Sequence, residues 1–102
     1  MRIRKYMQSD AAALARLHRG TIRTINAIDY PAHVIDAWSG RINAKRFREL
    51  AHQVVRFVAE ERGKIIGFGE LIKDNGGLGA MYVHKDWIGK GAGKKLFAAL
   101  EK

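Results

Sequence analysis

The sequence LGAMYVHKDWIGKGAGKKLFAALEK, residues 78–102, sets the expectations for the whole chain. Its first six residues are mostly apolar and predict a short strand at 78–83. Its last part carries apolar residues at Leu96, Phe97 and Leu100, a helical spacing that predicts the buried face of a helix.

Three glycines, Gly89, Gly91 and Gly93, separate the predicted strand from the helix and alternate with Lys90 and Ala92. A glycine-rich loop that opens a helix gathers unpaired backbone N–H groups at the positive end of the helix dipole. This arrangement predicts a binding site for a phosphate or pyrophosphate group. The rest of the chain is expected to form the scaffold around that site.

The composition limits the class of protein. A chain of 102 residues with 47% hydrophobic residues predicts one domain, 1–102, with a modest core. No apolar run approaches the ~20 residues of a transmembrane helix, and the basic N-terminus lacks the apolar segment of a signal peptide. The absence of cysteine excludes disulfides, cysteine-ligated zinc and cysteine nucleophiles, and is compatible with a cytoplasmic protein.

The charge favours anionic partners. Nineteen Lys and Arg residues face ten Asp and Glu residues, which gives a formal net charge of +9. Such a balance suits a nucleotide cofactor, a nucleic acid or an acidic surface, and a solvated basic surface explains it as well. The sequence has no helix-turn-helix signature and no basic strand with interleaved aromatic residues, so nucleic-acid binding ranks last among these functions.

The N-terminal half predicts mainly helix. Residues 3–7 are a candidate strand, and Ser9-Asp10 can cap a following amphipathic helix in which Gly20 is expected to mark a kink. A second helix is expected to begin at Pro31, and Asn43 is a candidate cap for a third.

From residue 54 the periodicity becomes that of strands. VVRFVAEE and KIIGFGELI predict a β-hairpin closed by Glu61-Arg62-Gly63. Gly67 and Gly69 lie inside the second strand and predict a bulge or the close approach of another group. The order strand, helices, three strands, helix indicates an α/β (α+β) fold with a mixed, mainly antiparallel sheet and helices packed on it.

Two common phosphate-binding motifs do not fit the glycine loop. The P-loop pattern G-x-x-x-x-G-K-S/T requires a glycine where Ile88 stands and Ser or Thr where Lys95 stands. The dinucleotide pattern G-x-G-x-x-G places Lys94 or Leu96 at its last glycine. The loop therefore belongs to neither class.

The loop instead contains the pattern V-x-x-x-W-x-G-K-G-x-G-x-x-L, from Val83 to Leu96. This pattern resembles the acyl-CoA loop of the GNAT acetyltransferase superfamily. FVAEERGKIIGFGEL resembles the central hairpin of that family, and IRKYMQSDAAALARLH resembles its first strand and helix. The chain as a whole resembles the N-terminal two-thirds of a small bacterial member. The resemblance implies the GNAT fold, acetyl-CoA as acyl donor, and N-acetyl transfer to a primary amine that the sequence does not identify.

The resemblance also implies which residues contact acetyl-CoA. The end of strand 78–83 would present backbone groups to the pantetheine arm, and the loop would surround the pyrophosphate. The backbone N–H of Val83 would polarise the thioester carbonyl. The residues implied in binding are Met81, Tyr82, Val83, Ile88, Gly89, Lys90, Gly91, Ala92, Gly93 and Lys94.

Three features depart from the family pattern. Ile88 stands where Arg or Gln is usual, and Gly79 stands where many members carry an acidic residue that acts as base. The sequence stops at Glu101-Lys102, whereas relatives continue into a strand that opens the acyl-CoA cleft and a tyrosine that often acts as general acid. Strand 78–83 would then be an exposed sheet edge, so we expect a fragment or a short form completed by homodimerisation through this edge.

The candidate catalytic residues are Glu70 and His84. Glu70 is the candidate base, because an apolar setting among its strand neighbours would favour that role, although it also fits an outward-facing strand position. His84 is a candidate proton relay, or simply a surface residue that begins the loop. His18, Tyr30 and Trp38 fall in the helical region that covers the acceptor site in the family. Tyr30 and Trp38 are candidate substrate contacts, although Trp38 also fits the core.

The four histidines show no metal-ligand spacing, so no metal site is expected. The alternative to an active N-acetyltransferase is a non-catalytic CoA-binding module, or a degenerate fragment that serves as a structural, dimerising module. Gly79 and the missing C-terminal segment favour this alternative more than any feature upstream.

Overall fold

The computed structural model describes residues 1–24, 31–34 and 42–101. Within these ranges four antiparallel strands form one sheet, in the order β1 (Arg2–Lys5), β2 (Val54–Glu61), β3 (Lys64–Ile72) and β4 (Leu78–Val83). The α-helices are α1 (Ala11–Thr24), α2 (Ala44–Leu50) and α3 (Ala92–Glu101), and 3-10 turns lie at Gln8–Asp10, Ala51–Gln53 and Lys85–Trp87. The predicted fold class is confirmed. No helix in the described ranges is long and apolar enough to cross a bilayer.

The β2–β3 hairpin forms the centre of the sheet. Arg62 and Gly63 have φ angles of 51° and 79°, the left-handed backbone that a two-residue hairpin turn requires. The predicted hairpin is therefore present, with these two residues between its strands. Its register places Arg56 opposite Glu70, and a bulge interrupts the ladder beside Ala59.

Helices cover both faces of the sheet. The helices α1 and α2 pack on one face and α3 on the other, because each buries the apolar face that its sequence predicts. The buried residues of the first core are Ala11, Leu14, Ala15, Leu17, Phe47, Val58 and Phe68. Those of the second core are Ala59, Ile66, Ala92 and Leu96.

The two glycines of β3 allow α3 and β4 to approach closely. A Cβ atom on Gly69 would lie 2.9 Å from Met81 Cε and 3.1 Å from Leu100 Cδ1, and one on Gly67 would lie 3.4 Å from Leu96 Cδ1. A side chain at Gly69 would therefore displace its neighbours. The predicted close approach is confirmed.

Helix details follow local sequence with two exceptions. The Oδ1 atom of Asn43 accepts a hydrogen bond from the Arg46 N–H at 2.9 Å, so the predicted cap of α2 is confirmed. By contrast, α1 continues through Gly20 without a break. Phe97 was expected on the buried face of α3 but is 45% exposed, because the helical turn carries it away from the face of Leu96 and Leu100.

A buried ion-pair network joins β1 to the start of α1. Arg4 donates to both carboxylate oxygens of Asp10, at 2.8 and 3.0 Å, and to Glu60 at 3.1 Å. The Met7 N–H also donates to Asp10 at 2.8 Å. The hydrogen bonds from Arg4 hold the pKa of the Asp10 carboxyl below its usual value, despite the opposing effect of burial.

Candidate functional site

The free edge of β4 presents backbone groups that are aimed out of the sheet. The His84 N–H donates to Ile66 O at 2.7 Å, which fixes the alternation of the β3–β4 ladder. In an antiparallel pair only every second residue bonds the partner strand, so the N–H and C=O groups of Met81 and Val83 point away from β3. Within the described sheet, no strand lies on that side of β4.

The glycine loop continues directly from this edge into α3. Gly89 and Gly91 have φ angles of 82° and 89°, a left-handed backbone that favours glycine. The Lys95 N–H donates to Gly91 O at 3.1 Å, so Gly91 caps the helix. The N–H groups of the first turn of a helix have no partner within that helix, and here they belong to Ala92 and the residues that follow it.

These two features border one cleft of about 580 Å³. It brings together nine of the ten residues predicted to bind the cofactor, together with Trp87. The lining residues are Met81, Tyr82, Val83, Trp87, Ile88, Gly89, Gly91, Ala92, Gly93 and Lys94. No acidic side chain occurs among them. The backbone edge, the helix N-terminus and the adjacent lysine give this cleft the character of an anion-binding groove.

The tenth predicted residue, Lys90, lies beside the cleft. Its Nζ atom stands 5.2 Å from the centroid of the Trp87 ring, a cation–π contact. Trp87 was not predicted as a site residue, although it stands in the quoted loop motif. Trp87 is partly buried against the core that α3 forms, and it also lines the cleft. Its position in the loop motif is the sequence signal that could have identified it.

Glu70 lies in a second, smaller pocket on the opposite side of β4. Its Oε2 atom accepts a hydrogen bond from Arg56 Nε at 2.7 Å, and Arg56 also donates to Phe47 O at 3.1 Å. The expected apolar setting of Glu70 is therefore wrong, because the hairpin register places Arg56 directly across from it. Arg56 is held in turn between the rings of Tyr6 and Phe47, at 4.5 and 5.0 Å.

Gly79 adjoins Glu70 in space. A Cβ atom on Gly79 would lie 3.5 Å from Glu70 Cγ and 3.2 Å from Ile72 Cγ1. The side chain of Glu70 therefore reaches the neighbourhood of the β4 position at which the sequence lacks an acidic residue. Gly79, where the sequence departs from the family pattern, and Glu70, the candidate base, are therefore neighbours in the structure.

His18, which the sequence places in the helical region over the acceptor site without a specific role, lines the second pocket. The pocket has a volume of about 190 Å³, and His18, Phe47, Phe68, Glu70 and Ala80 are among its lining residues. The His18 ring lies 4.1 Å from that of Tyr82, and burial lowers the pKa of His18. The imidazole is therefore neutral over a wider pH range than an exposed one. Only the packing of α1 on β4 reveals this placement.

Tyr82 lines the cleft and contacts two residues that line the second pocket, His18 and Phe68. Its ring stacks on that of Phe68 at 5.5 Å, on the face covered by α1. Burial raises the pKa of the Tyr82 hydroxyl, and the negative charge of Glu70 raises it further. The hydroxyl is therefore protonated throughout the neutral range.

Of the three remaining predicted site residues, His84 lies within the described part of the chain. His84 lines neither the cleft nor the second pocket, and its Nδ1 atom accepts a hydrogen bond from the Asp86 N–H at 3.1 Å, which caps the turn Lys85–Trp87. Tyr30 and Trp38 lie outside the described residues. Among the residues that the structure covers, no group of three or more His, Cys, Asp or Glu side chains is arranged to hold a metal ion.

Comparison with solved structures identifies relatives of this fold. A GCN5-related N-acetyltransferase from Rhodopseudomonas palustris aligns with a TM-score of 0.81 and 28% identity, over 98% of this chain and 62% of that one. The PaiA N-acetyltransferase of Thermoplasma acidophilum, in complex with coenzyme A, gives 0.81 and 21%, over 98% and 69%. YncA of Salmonella typhimurium, a putative acetyltransferase with its cofactor acetyl-CoA, gives 0.63 and 25%, over 98% and 60%.

The chain thus spans about 60–70% of the length of these relatives. Comparison with curated protein sequences gave no significant match. The family model for the acetyltransferase (GNAT) domain matches residues 26–102, which is most of the chain and includes the hairpin, β4, the glycine loop and α3. This protein therefore belongs to the GNAT acetyltransferase family.

Proposed function

We propose that this protein transfers an acetyl group from acetyl-CoA to a primary amine. The observation that carries the proposal is the cleft beside β4, where the outward backbone groups of Met81 and Val83 meet the N–H groups that open α3. The relatives from T. acidophilum and S. typhimurium that share this fold were solved with coenzyme A and acetyl-CoA, respectively. Family membership and cleft geometry thus support the same donor.

The donor is held mainly by backbone. The first-turn N–H groups of α3 and the left-handed glycines Gly89 and Gly91 receive the pyrophosphate, and Lys90 and Lys94 add positive charge at its rim. The outward N–H and C=O groups of Met81 and Val83 pair with the amides of the pantetheine arm, as an added strand would. Because these contacts are backbone contacts, Ile88 serves in place of a polar residue.

The reacting groups meet at the edge of β4. Acetyl-CoA supplies an activated acetyl thioester to this edge. The Val83 N–H donates to the thioester oxygen as negative charge develops there, which lowers the barrier to attack by the amine. The bond between the amine nitrogen and the acyl carbon forms, the C–S bond breaks with its electron pair on the departing thiolate of coenzyme A, and the proton of the attacking nitrogen passes to Glu70.

Glu70 fits the role of base by position. Ala80 lines the pocket that contains Glu70, whereas the next residue, Met81, lines the donor cleft. Donor and acceptor thus approach β4 from opposite sides. The Oε2 atom of Glu70 is engaged by Arg56, while no hydrogen bond to Oε1 occurs among the described residues. His84 takes no part in this proton transfer, since its Nδ1 atom already accepts a hydrogen bond from the Asp86 N–H.

The first test is calorimetric titration of acetyl-CoA into the purified chain. Gly91→Ala is expected to weaken binding at least tenfold, because a side chain at φ 89° strains the backbone and shifts the N–H groups of the loop. Gly76→Ala is the matched control, since Gly76 has a φ of 68° in a turn remote from the cleft. Equal loss in both variants, or no saturable binding by the parent chain, would contradict the donor site.

The second test addresses the base. Glu70→Gln is expected to lower turnover about 10²–10⁴-fold in an assay of thiol release from acetyl-CoA with a panel of primary amines, and to leave acetyl-CoA affinity unchanged. The melting temperature is measured in parallel, because the variant also removes the partner of the buried Arg56. Undiminished turnover in Glu70→Gln would refute this role.

A non-catalytic CoA-binding module is the alternative. It is supported by Gly79, which leaves β4 without the usual acidic residue. Saturable acetyl-CoA binding without thiol release for any amine would favour this alternative.

We also propose a homodimer through the free edge of β4. The apolar side chain of Leu78 supports it, since it begins β4 and is 52% exposed. A second copy would pair with the first half of the strand and leave its second half to acetyl-CoA.

A further inference from the structure

A second large cleft, of about 560 Å³, lies on the α1 side of the sheet at the end that carries the β2–β3 turn. One wall is the α1 face formed by Ala13, Arg16, Leu17 and Gly20, which recur at helical spacing. The other wall comprises the β2–β3 turn and the residues just after β4. None of the residues proposed to contact acetyl-CoA lines this cleft.

Positive charge predominates in this cleft. Arg16, Lys64 and Lys85 line it, and their side chains take part in none of the ion pairs or hydrogen bonds found among the described residues. Asp10 also lines the cleft, and Arg4 bonds both of its carboxylate oxygens while also donating to Glu60, so the network of these three residues carries one net negative charge. The three cations around one concave space outweigh that charge and create a field that attracts anions.

Neutral donors add to the cationic ones. His84 lines the cleft, and the Asp86 N–H bonds its Nδ1 atom, so the ring proton of the neutral imidazole resides on Nε2 as a donor. The Ser9 hydroxyl is a further donor on the lining. Among the described side chains of the lining, Arg16, Lys64 and Lys85 therefore act with Ser9 and His84 as donors, and the carboxylate of Asp10 is already bonded by Arg4, which suits an oxygen-rich anion.

Gly20 lines the cleft and presents no side chain to it. A glycine inside a helix destabilises it relative to alanine, and a Cβ atom here would meet no described atom within 4 Å. Packing among the described residues therefore does not require a glycine at this position. The absence of a side chain at Gly20 lets a ligand approach the backbone of α1 closely.

We propose that this cleft binds a small phosphorylated ligand with at least two negative charges. Arg16, Lys64 and Lys85 hold its phosphate groups, and Leu17 and Ile65 contact its less polar part. The volume falls in the range of about 300–1,000 Å³ that is typical of small-molecule sites. A concave space of this size favours a small ligand over a nucleic-acid duplex, whose phosphates lie on a convex surface.

The probe is inorganic pyrophosphate, titrated by calorimetry into the full chain at about 0.15 M salt, with and without saturating coenzyme A. Arg16→Gln and Lys85→Gln are each expected to weaken binding roughly tenfold, since each removes a charge-assisted hydrogen bond. Lys73→Gln is the matched control, because it makes the same charge change just beyond the opposite end of β3 and lines neither cleft. It is expected to change the affinity less than twofold.

Three results would overturn the inference. They are the absence of saturable pyrophosphate binding, equal losses in Lys73→Gln and Lys85→Gln, and binding that is lost in Gly91→Ala but retained in Arg16→Gln. The last would mean that pyrophosphate occupies only the glycine loop. An RNA oligonucleotide that displaces pyrophosphate and depends equally on Lys73 would likewise show a general polyanion surface.

Gly20→Ala separates binding from folding. We expect this variant to melt at a higher temperature than the parent chain and to bind pyrophosphate more weakly. Higher stability with unchanged affinity would contradict the site as described. A chain that binds pyrophosphate through Arg16 and Lys85 but does not bind acetyl-CoA would retain this inference and refute the proposed donor site.

Discussion

Glu70 and Arg56 stand directly opposite each other on adjacent strands, and this position determines the chemistry of Glu70. The pair is almost entirely shielded from water, with side-chain exposures of 16% and 3%. Such a pair is costly to break, because the remaining partner keeps a buried charge. The same contact fixes the side chain of Glu70, whose Cγ atom lies 3.5 Å from where a Cβ atom on Gly79 would stand.

The folded protein should lose stability in two separate pH windows. Burial lowers the pKa of His18 below its usual value of about 6.5, so the unfolded chain takes up this proton first as the pH falls. The contribution of His18 to the free energy of unfolding is complete when the pH is above this usual pKa and declines as the pH falls below it. Arg4 lowers the pKa of Asp10, so the contribution of Asp10 is present above its unfolded value of about 3.9 and is lost only in stronger acid.

Two substitutions distinguish the contribution of His18 to stability from that of Asp10. His18→Phe keeps an aromatic ring against Tyr82 and should flatten the free energy of unfolding between pH 7 and pH 5, as measured by urea denaturation. Asp10→Asn should retain that decline and lose about 2 kcal/mol at pH 7, since it breaks the ion pair with Arg4. An unchanged pH profile in His18→Phe would show that other groups cause the decline. His52→Phe, at an exposed position, is the control.

At the scale of elements, α3 allows adjacent buried and exposed positions to be compared. Leu96 is fully buried, and Leu96→Ala should cost about 2–5 kcal/mol by loss of contacts and creation of a cavity. Phe97 is 45% exposed, and Phe97→Ala should cost less than about 1 kcal/mol. Urea denaturation of both variants measures the difference. Similar losses for the two would mean that Phe97 is buried in solution, for example in an oligomer.

Local signals made most elements predictable from sequence. The left-handed turn at Arg62-Gly63, the Asn43 cap and the alternation of the strands all depend on neighbouring residues. The glycine loop was predictable for the same reason, because its left-handed backbone is a local property of Gly89 and Gly91. Nearly all the cofactor candidates therefore line one cleft.

Features that depend on contacts between distant elements were not predictable. The pairing of Glu70 with Arg56 follows from strand register, and the contact of His18 with Tyr82 follows from the packing of α1 on β4. The exposure of Phe97 arises because apolar sequence alone does not determine how wide a helix face the sheet can cover. For each of these residues the sequence reveals the type of side chain, but it does not reveal which other residues pack against it in the fold.

At the scale of the whole molecule, the oligomeric state of the protein tests whether the free edge of β4 pairs with a second copy. We expect light scattering after size exclusion to give twice the chain mass of 11.5 kDa at micromolar concentration. Leu78→Lys should shift the protein to monomer, because it places a charge on the exposed apolar side chain that begins β4.

The control for this surface is Met7→Lys, since Met7 is 54% exposed and precedes α1, far from β4 in the sheet order. It should leave the mass unchanged. A parent chain that is monomeric at every concentration, or equal dissociation by Met7→Lys, would contradict pairing through β4. Acetyl-CoA provides a further check. If the second copy takes only the first half of β4, saturating acetyl-CoA should preserve the dimer, whereas a dimer that pairs along Met81 and Val83 should dissociate as acetyl-CoA binds.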